Sequence, residues 1–520
     1  MTATGKRKLF VGVLLTAMAF AAPTFAQEVV LRVGIENADI GTLDPHRATA
    51  TQDKGVVGWI FSGLVRFPPG SANPADLEPD LAESWTRSQD GTEWVFTLRQ
   101  GVRFHGDWGV LTAADVVYSL ERARDPERSS FAASYTAFRT IEAVDDHTVR
   151  IVLDHPVPGF LGLVANYHGG NIVSMAAAEA EGADFARQPV GTGPFAFVEH
   201  VTQRHVLLDA NDAYFRGVPR IDRIEYRLIP SAASLELAFS SGELDLIYGR
   251  REQRWIDRWS GVDTAVVDVL WPAEYRTLHL NTAMAPLTDR RVREAIAHAV
   301  NVDEIVAFVG SDVGPRGCSV VPSGYLGEDC SSGVYTYDPE ATRALLAEAG
   351  YPDGLTITGV VSNSNTQLPI MEVVQAQLAA SGITLDMQVV DHATYHDLIR
   401  QDLSGITFYG AARFPIADSY LTEFYHSAAT VGTPSAVTNF SHCAVADDQI
   451  EAARSETDPQ QQLALWAEAQ RLIHAEICAI PLFNLRQVWL RSPRLDFGYD
   501  LEGAMNLIPP ITELTSLRAE

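Results

Sequence analysis

The stretch WVFTLRQGVRFHGDWGVLTAADVVYSLERAR, residues 94 to 124, constrains this chain more than any other. Around Val95 and Thr97 apolar residues alternate with others, as they do in a half-buried strand. Glycines at 101, 106 and 109 permit a tight reversal. Thr112, with Asp115 three residues on, reads as a helix start close to a capping box. Val116, Val117 and Leu120 share one face of that helix, and Pro126 blocks its continuation. The unit is strand, turn and helix, a folding motif with no chemistry of its own.

The chain opens with Lys6, Arg7 and Lys8, an apolar run from Leu9 to Ala22, and the small-residue site Thr24-Phe25-Ala26. This is the pattern of a secretory signal over residues 1–26. The apolar run is short for a membrane span, and no cysteine follows the cleavage point to carry a lipid. The expectation is a free periplasmic protein. Its mature length of about 494 residues calls for at least two lobes.

Loss of the three leader cations takes the formal charge from -27 to -30, and Lys54 is then the one lysine among many arginines. Such acidity argues against nucleic acid or an anionic membrane as partner, while leaving room for a local cationic pocket. Four cysteines in an exported chain suggest disulfides. Cys318 and Cys330 flank a Gly/Pro/Ser loop and can close it, which leaves Cys443 with Cys478. Neither pair has metal-ligand spacing.

Val29 to Ile35 reads as the opening strand, and a strand pair around Val144 to Leu153 turns at Asp145-Asp146. In PVGTGPFAF, residues 189 to 197, Gly191 and Gly193 lead into a strand begun by Phe195; no GK[ST] follows, so this is no phosphate cradle. Tyr275 to Asn281 is the candidate for a first crossing between lobes. Pro286 to Val300 reads as a helix with Val292, Ala295, Ile296 and Ala299 inward, and Asn301 with Glu304 starts another. Arginines 290, 291 and 293 scatter around the first of these helices and read as solvated or pairing residues. From Leu355 strands and helices alternate: 355–361, 368–380, 383–390, 395–401 and 406–409. That alternation predicts an α/β lobe with a largely parallel sheet. Gln461 to Ile473 is a further helix, and Ile480 to Leu490 carries the chain back across.

The opening motif, with FHGDWG where relatives usually read FHDG, resembles the signature of the family 5 solute-binding proteins of bacterial ABC importers, which carry dipeptides, oligopeptides and nickel. WIFSGLVRF, EPDLAESW, PVGTGPFAF, NDAYFRGVPRIDRIEYRLIP and LAFSSGELDLIYG are similar to further family segments, in family order. The resemblance implies a two-lobed periplasmic binding protein clamp of α/β class with two inter-lobe crossings and an extra subdomain in the first lobe. The corresponding layout is 27–275 plus 484–520 for the first lobe, about 62–185 for its subdomain, and 276–483 for the second lobe. It implies capture of a short peptide or small molecule by a monomer and delivery to an inner-membrane permease, with no cofactor.

Such clamps hold solute in the cleft, where desolvated groups must find partners. Peptide-binding relatives neutralise the ligand ammonium with a carboxylate soon after the strand written here ITFYG, whose Tyr409 is itself a candidate ligand contact. The aligned position is Arg413, which would favour a carboxylate, sulfonate or phosphate. Asp418 reads as the N-cap of the next helix. Where relatives carry an arginine for the peptide carboxylate, this chain has Ser362, Asn363, Ser364 and Asn365, suited to neutral polar contact or to a plain surface loop. His392 aligns with a position often aromatic in relatives, and Thr49-Ala50-Thr51 is the ligand-facing loop of the first lobe. Both anchors of an ordinary dipeptide site are altered, which suggests an acidic peptide, a glutathione-like molecule or an opine-like conjugate.

The competing classes are an exported hydrolase and a ligand-presenting chemoreceptor subunit. GxSxG and HExxH are absent, and His105 and His168 read as structural, which weighs against hydrolysis. The receptor alternative would use the same clamp.

Overall fold

A computed structural model describes residues 1–2, 28–364, 366–432 and 438–518. Residues 3–27, nearly all of the stretch read in the sequence as an export leader, and Asn365 lie outside the described residues. Among those described, no helix is long and apolar enough to cross a membrane.

The frame is an eight-stranded sheet. Its order is Ile406–Ala411, Val266–Leu280, Ala479–Arg491, Leu246–Tyr248, Val30–Ile35, Arg223–Leu228, His205–Ala210 and Phe195–Val201. Val30–Ile35 pairs in parallel with both of its neighbours, and every other pairing is antiparallel. The two long strands, Val266–Leu280 and Ala479–Arg491, are the hinge. They pair from Val266 with Arg491 to His279 with Ala479, and the register slips between Leu270 and Glu274 and again at Arg276. Pro272 sits in the first slip, where a residue without an N–H donor is tolerated. The first of them begins nine residues before the crossing 275–281 read from the sequence, and the second matches the reading 480–490 to within one residue at each end.

The opening motif folds as its residues dictate. Its strand is Glu93–Leu98, within a four-stranded antiparallel sheet. Gly101, Gly106 and Gly109 hold φ of +76°, +65° and +92°, a region open mainly to glycine. The helix is Ala113–Ala123. One oxygen of Asp115 accepts from the Thr112 backbone N–H and hydroxyl, both at 3.0 Å, and its other oxygen accepts from Met175 N at 3.0 Å. The capping carboxylate therefore also ties down the start of the later helix Met175–Glu181. His105 is a buried strut: one ring nitrogen bonds Gly193 O at 3.0 Å while the other accepts from Gly191 N at 3.4 Å. A Cβ on Gly191 would lie 2.2 Å from the Ile60 carbonyl oxygen, so close backbone approach explains this glycine.

In the second lobe, Leu355–Ser362 and Ile383–Val390 form a parallel ladder. The largely parallel sheet expected there is limited to this pair. The third strand, Ile406–Ala411, gives its ladder to the hinge strand in antiparallel sense. It meets the parallel pair through single bonds, Gly405 N to Thr358 O at 3.1 Å and Val360 N to Ser404 Oγ at 3.0 Å. A side-chain hydroxyl thus fills a position that a ladder carbonyl would occupy.

Helix starts follow their caps. Asp289 accepts from Arg291 N at 2.9 Å and begins Arg290–Ala299, later than Pro286; Val292, Ala295, Ile296 and Ala299 are buried there. Asn301 accepts from Glu304 N at 3.2 Å and begins Val302–Val309. Asp391 starts His392–Arg400 three residues earlier than periodicity indicated. Asp458 starts Pro459–Glu476. Cys318 is bonded to Cys330 and Cys443 to Cys478, with Cα atoms 5.4 and 5.9 Å apart.

The lobes touch through Phe414. Its ring packs so closely on Gly162 that a Cβ there would come within 2.1 Å, and Gly159 lies beside it. Phe67 meets the same ring at 6.0 Å between centroids.

Candidate functional site

The first-lobe wall begins with helix Thr51–Ile60. Its N-cap is Ala50, which has no capping side chain; Thr49 is exposed and Thr51 half-buried. No side chain neutralises the first turn, which leaves it weakly electropositive. Lys54 lies on the same turn, half-buried, and its ammonium makes no hydrogen bond or ion pair with any described residue. Burial lowers its pKa to about 8; Glu274 opposes that shift and Arg413 adds to it. Neighbouring Asp53 turns away and accepts from Gly41 N at 2.9 Å.

His168 comes next. Its ring is stacked on Tyr167 and Phe131, with centroids 3.6 and 4.0 Å apart. Its nitrogens make no hydrogen bond to a described residue. Burial first, then the charges of Lys54 and Arg413, hold its pKa well below the ordinary value, so the ring is neutral. His168 also holds a left-handed backbone, φ +50°, which costs a non-glycine residue about 1 kcal/mol.

Arg413 faces these groups from the second lobe. Its backbone N–H donates to the Tyr420 hydroxyl at 3.0 Å, and its guanidinium lies over the Phe424 ring at 5.6 Å. Its Nε pairs with Glu423. Burial opposes the charge, yet Glu423 carries the pKa above the ordinary arginine value. The arginine singled out in the sequence therefore lies near Lys54 and His168 and already holds one carboxylate.

The floor lies on the hinge. Glu274 bridges Arg251 and Arg276. Burial alone would raise its pKa, but the two guanidinium groups bring it down to about 2. Arg276 is 5% exposed, and its Nε has no partner. A Cβ on Gly410 would lie 2.5 Å from that guanidinium, which is why the adjoining strand carries a glycine. The Tyr248 hydroxyl donates to Gln487 Oε1 at 3.0 Å, leaving Gln487 Nε2 buried without a partner. None of these hinge residues stood out in the sequence; the visible hint is charged Glu274 and Arg276 close together within a mostly buried crossing strand.

A second group gathers the remaining candidates. Ser362 is fully buried; its Oγ lies 3.0 Å from His392 Nδ1 and accepts from Ser364 N at 3.2 Å. His392 is exposed, and its Nε2 lies 3.2 Å from His396 Nε2. Tyr409 packs against Phe440 at 4.8 Å and His396 at 6.0 Å, and is 7% exposed, which makes it chiefly a wall residue. Asn363 is exposed, with its N–H bonded to Val390 O at 2.8 Å.

Asp418 does not cap its helix. Ile416 is the N-cap of Ala417–Tyr425, and Asp418 sits inside the first turn with its carboxyl 3.5 Å from Arg454. Burial raises its pKa to about 6 despite Arg454. The chain turns into the helix after Pro415, two residues before a cap at Asp418 would require. Arg290, Arg291 and Arg293 all pair, with Glu294, Asp289 and Glu476.

Residues 76–431 match the profile of bacterial extracellular solute-binding proteins, family 5 Middle. The Di/tripeptide-binding protein 2 of Pseudomonas aeruginosa is 30% identical over 90% of this chain and 92% of its own length. The glutathione-binding protein GsiB of Salmonella typhimurium is 28% identical over 91% of this chain and 94% of its own. Among solved structures, MoaA of A. tumefaciens R10 in complex with mannopinic acid is 48% identical, with a TM-score of 0.83 over 95% of this chain and all of that one. Helicobacter pylori DppA in complex with the peptide STSA is 26% identical, with a TM-score of 0.77 over 94% of this chain and 98% of that one.

Proposed function

This chain belongs to the family 5 bacterial extracellular solute-binding proteins, and from that membership we propose that it captures a small anionic solute of the opine-acid kind and hands it to an ABC permease. One observation carries the reading: Lys54, Arg251, Arg276 and Arg413 gather at the cleft of a chain whose formal charge is -27. Glu274, Glu423 and Asp53 do not balance them, so one cationic group stays available. Taking cations out of water is costly unless an anion meets them, and a bound carboxylate would supply that partner. The likeness to a mannopinic acid complex supports a ligand with both carboxylate and hydroxyl groups. Gln487 Nε2 and Arg276 Nε, both buried donors without partners, suit the hydroxyls.

In this reading the protein is exported by its leader to the periplasm and acts there as a monomer, without covalent chemistry. Residues 27–275 with 484–520 form one lobe and 276–483 the other. Arg413, Lys54 and His168 contact the acid, with the helix start at Thr49 and Thr51 beside it; the Ser362, Asn363, Asn365, His392 and Tyr409 side of the second lobe supplies polar contact further along. Isothermal calorimetry with mannopinic acid, glutathione and uncharged dipeptides tests the proposal. Tight binding of the acid, lost in Arg413→Ala, is expected. Selective binding of neutral peptides, or unchanged affinity for the acid in Arg413→Ala, would overturn it.

A further inference from the structure

Helix Ala113–Ala123 ends against the turn His168–Gly170, so closely that a Cβ on Gly169 would lie 2.9 Å from that of Ala123. Just before this end Arg122 is buried and grips Asp44 with both Nη atoms; Nη1 donates to Asp44 Oδ1 at 2.7 Å. The second proton of Nη1 points to His46 Nδ1, 2.8 Å away. A guanidinium can only donate, so Nδ1 is the accepting nitrogen and the ring proton of His46 sits on Nε2. From there it is donated to the Asn171 carbonyl at 2.9 Å. Burial first, then the charge of Arg122, brings the His46 pKa to about 4, with Arg128 adding to the shift and Asp44 opposing it. The ring is therefore neutral and its tautomer is fixed by its partners.

Two ties run from His46 to the stack around His168. In one, Asn171 receives the Nε2 proton on its carbonyl and donates Nδ2–H to the His168 carbonyl at 2.9 Å, closing the turn that keeps His168 at φ +50°. In the other, the His46 carbonyl accepts from Ser130 N at 2.9 Å, which places the adjoining Phe131, the ring stacked on His168. We propose that His46 is a positioning residue for the cleft, whose Nε2–H tautomer, imposed by Arg122, holds the His168 ring where its unpartnered nitrogens meet the solute. This rests on the reading of His168 as a contact of the acid. It also gives the opening motif a task beyond folding, since the helix of that motif supplies Arg122. A ring locked before the solute arrives loses little freedom on binding, so the strut sets affinity as well as shape.

Histidine nitrogen NMR of the unliganded, untagged mature protein reads the strut without any variant: a neutral His46 protonated on Nε2 is expected, and protonation on Nδ1 would overturn the assignment. Two substitutions then separate its two bonds. His46→Asn keeps an acceptor for Arg122 but is too short to reach Asn171, whereas His46→Gln keeps a donor at that distance. In His46→Asn the His168 ring signals should lose the shifts that stacking imposes, and the His168 pKa should rise toward the ordinary value of about 6.5, although Lys54 and Arg413, the charges that face it, are untouched. The Kd for mannopinic acid in calorimetry should rise by about tenfold or more in His46→Asn and stay within about threefold of the native value in His46→Gln. Unmoved His168 signals in His46→Asn, equal loss of affinity in both variants, or native affinity in His46→Asn where His168→Ala weakens binding would each overturn the proposal. Native affinity in His168→Ala would instead refute the contact reading and the proposal's claim on affinity with it, while the His168 signals of the unliganded protein decide the placement by themselves.

Discussion

The ammonium of Lys54 gives the cleft a measurable pH signature. In the free protein burial brings its pKa to about 8, with Arg413 pushing the same way against Glu274. A ligand carboxylate placed beside it favours the charged form, so the pKa rises on binding and a proton is taken up near that pH. The sign follows: affinity is full below about 8 and declines as pH climbs through the free-state value. Each further unit costs about 1.4 kcal/mol, or tenfold in Kd, until the complex itself titrates near the ordinary lysine value of about 10.4. The whole window is therefore worth about 3 kcal/mol. Calorimetry from about pH 6.5 to about pH 9.5, in buffers of different ionisation enthalpy, yields both the affinity slope and the protons taken up. Lys54→Gln should bind more weakly at neutral pH and lose the slope. Lys54→Arg should keep the affinity and also lose the slope, because a guanidinium does not titrate there. A wild-type Kd flat across the range, or an equal slope in Lys54→Gln, would refute the reasoning.

Gly162→Ala puts a methyl where the Phe414 ring sits, and overpacking of about 1–3 kcal/mol would fall on any form of the clamp that keeps this contact, which the clamp reading takes to be the closed one. Ligand affinity should drop roughly fivefold to a hundredfold while the unliganded melting temperature barely moves; small-angle scattering with saturating ligand would show a more open particle. Glu274→Gln strands Arg251 and Arg276, and loss of one partner of a buried ionic group costs about 3–5 kcal/mol, which urea denaturation would read. In the native protein the contribution of Glu274 is present above its unfolded pKa of about 4.5 and is lost as pH falls toward about 2, so acid unfolding should begin at higher pH in a chain with weakened hinge pairing. Asp115→Ala removes the helix cap and the tie to Met175, and should cost about 1–2 kcal/mol by the same denaturation assay.

Much of this architecture could be read locally. Thr112 with Asp115, Asn301 with Glu304, and glycines 101, 106 and 109 act on neighbours a few residues away, so their types suffice to place them. The pairing of Cys318 with Cys330 is of the same kind. The cleft is different. Lys54, His168 and Arg413 come together from three distant stretches of the chain, beside the contact of Phe414 with Gly162. Lys54 was visible as an oddity among arginines, but nothing near it in the chain says what it faces. His168 looked structural because its aromatic neighbours give a ring ample reason to be buried. Asp418 misled for a local reason: an acidic residue near a helix start resembles a cap, yet the backbone had already entered the helix and the carboxyl turned to Arg454. Tyr409 sits in the expected place, but Phe424 and Phe440 claim most of its surface.

Arg413 and Phe414 are consecutive residues with unrelated tasks, one proposed to read the cargo and the other filling a slot across the gap. A single peptide plane joins sensor and bolt, so news of arrival need not travel through the molecule. Descendants of such a chain can exchange the reader at one position for a different cargo and keep the bolt at the next, changing what they carry without relearning how to shut.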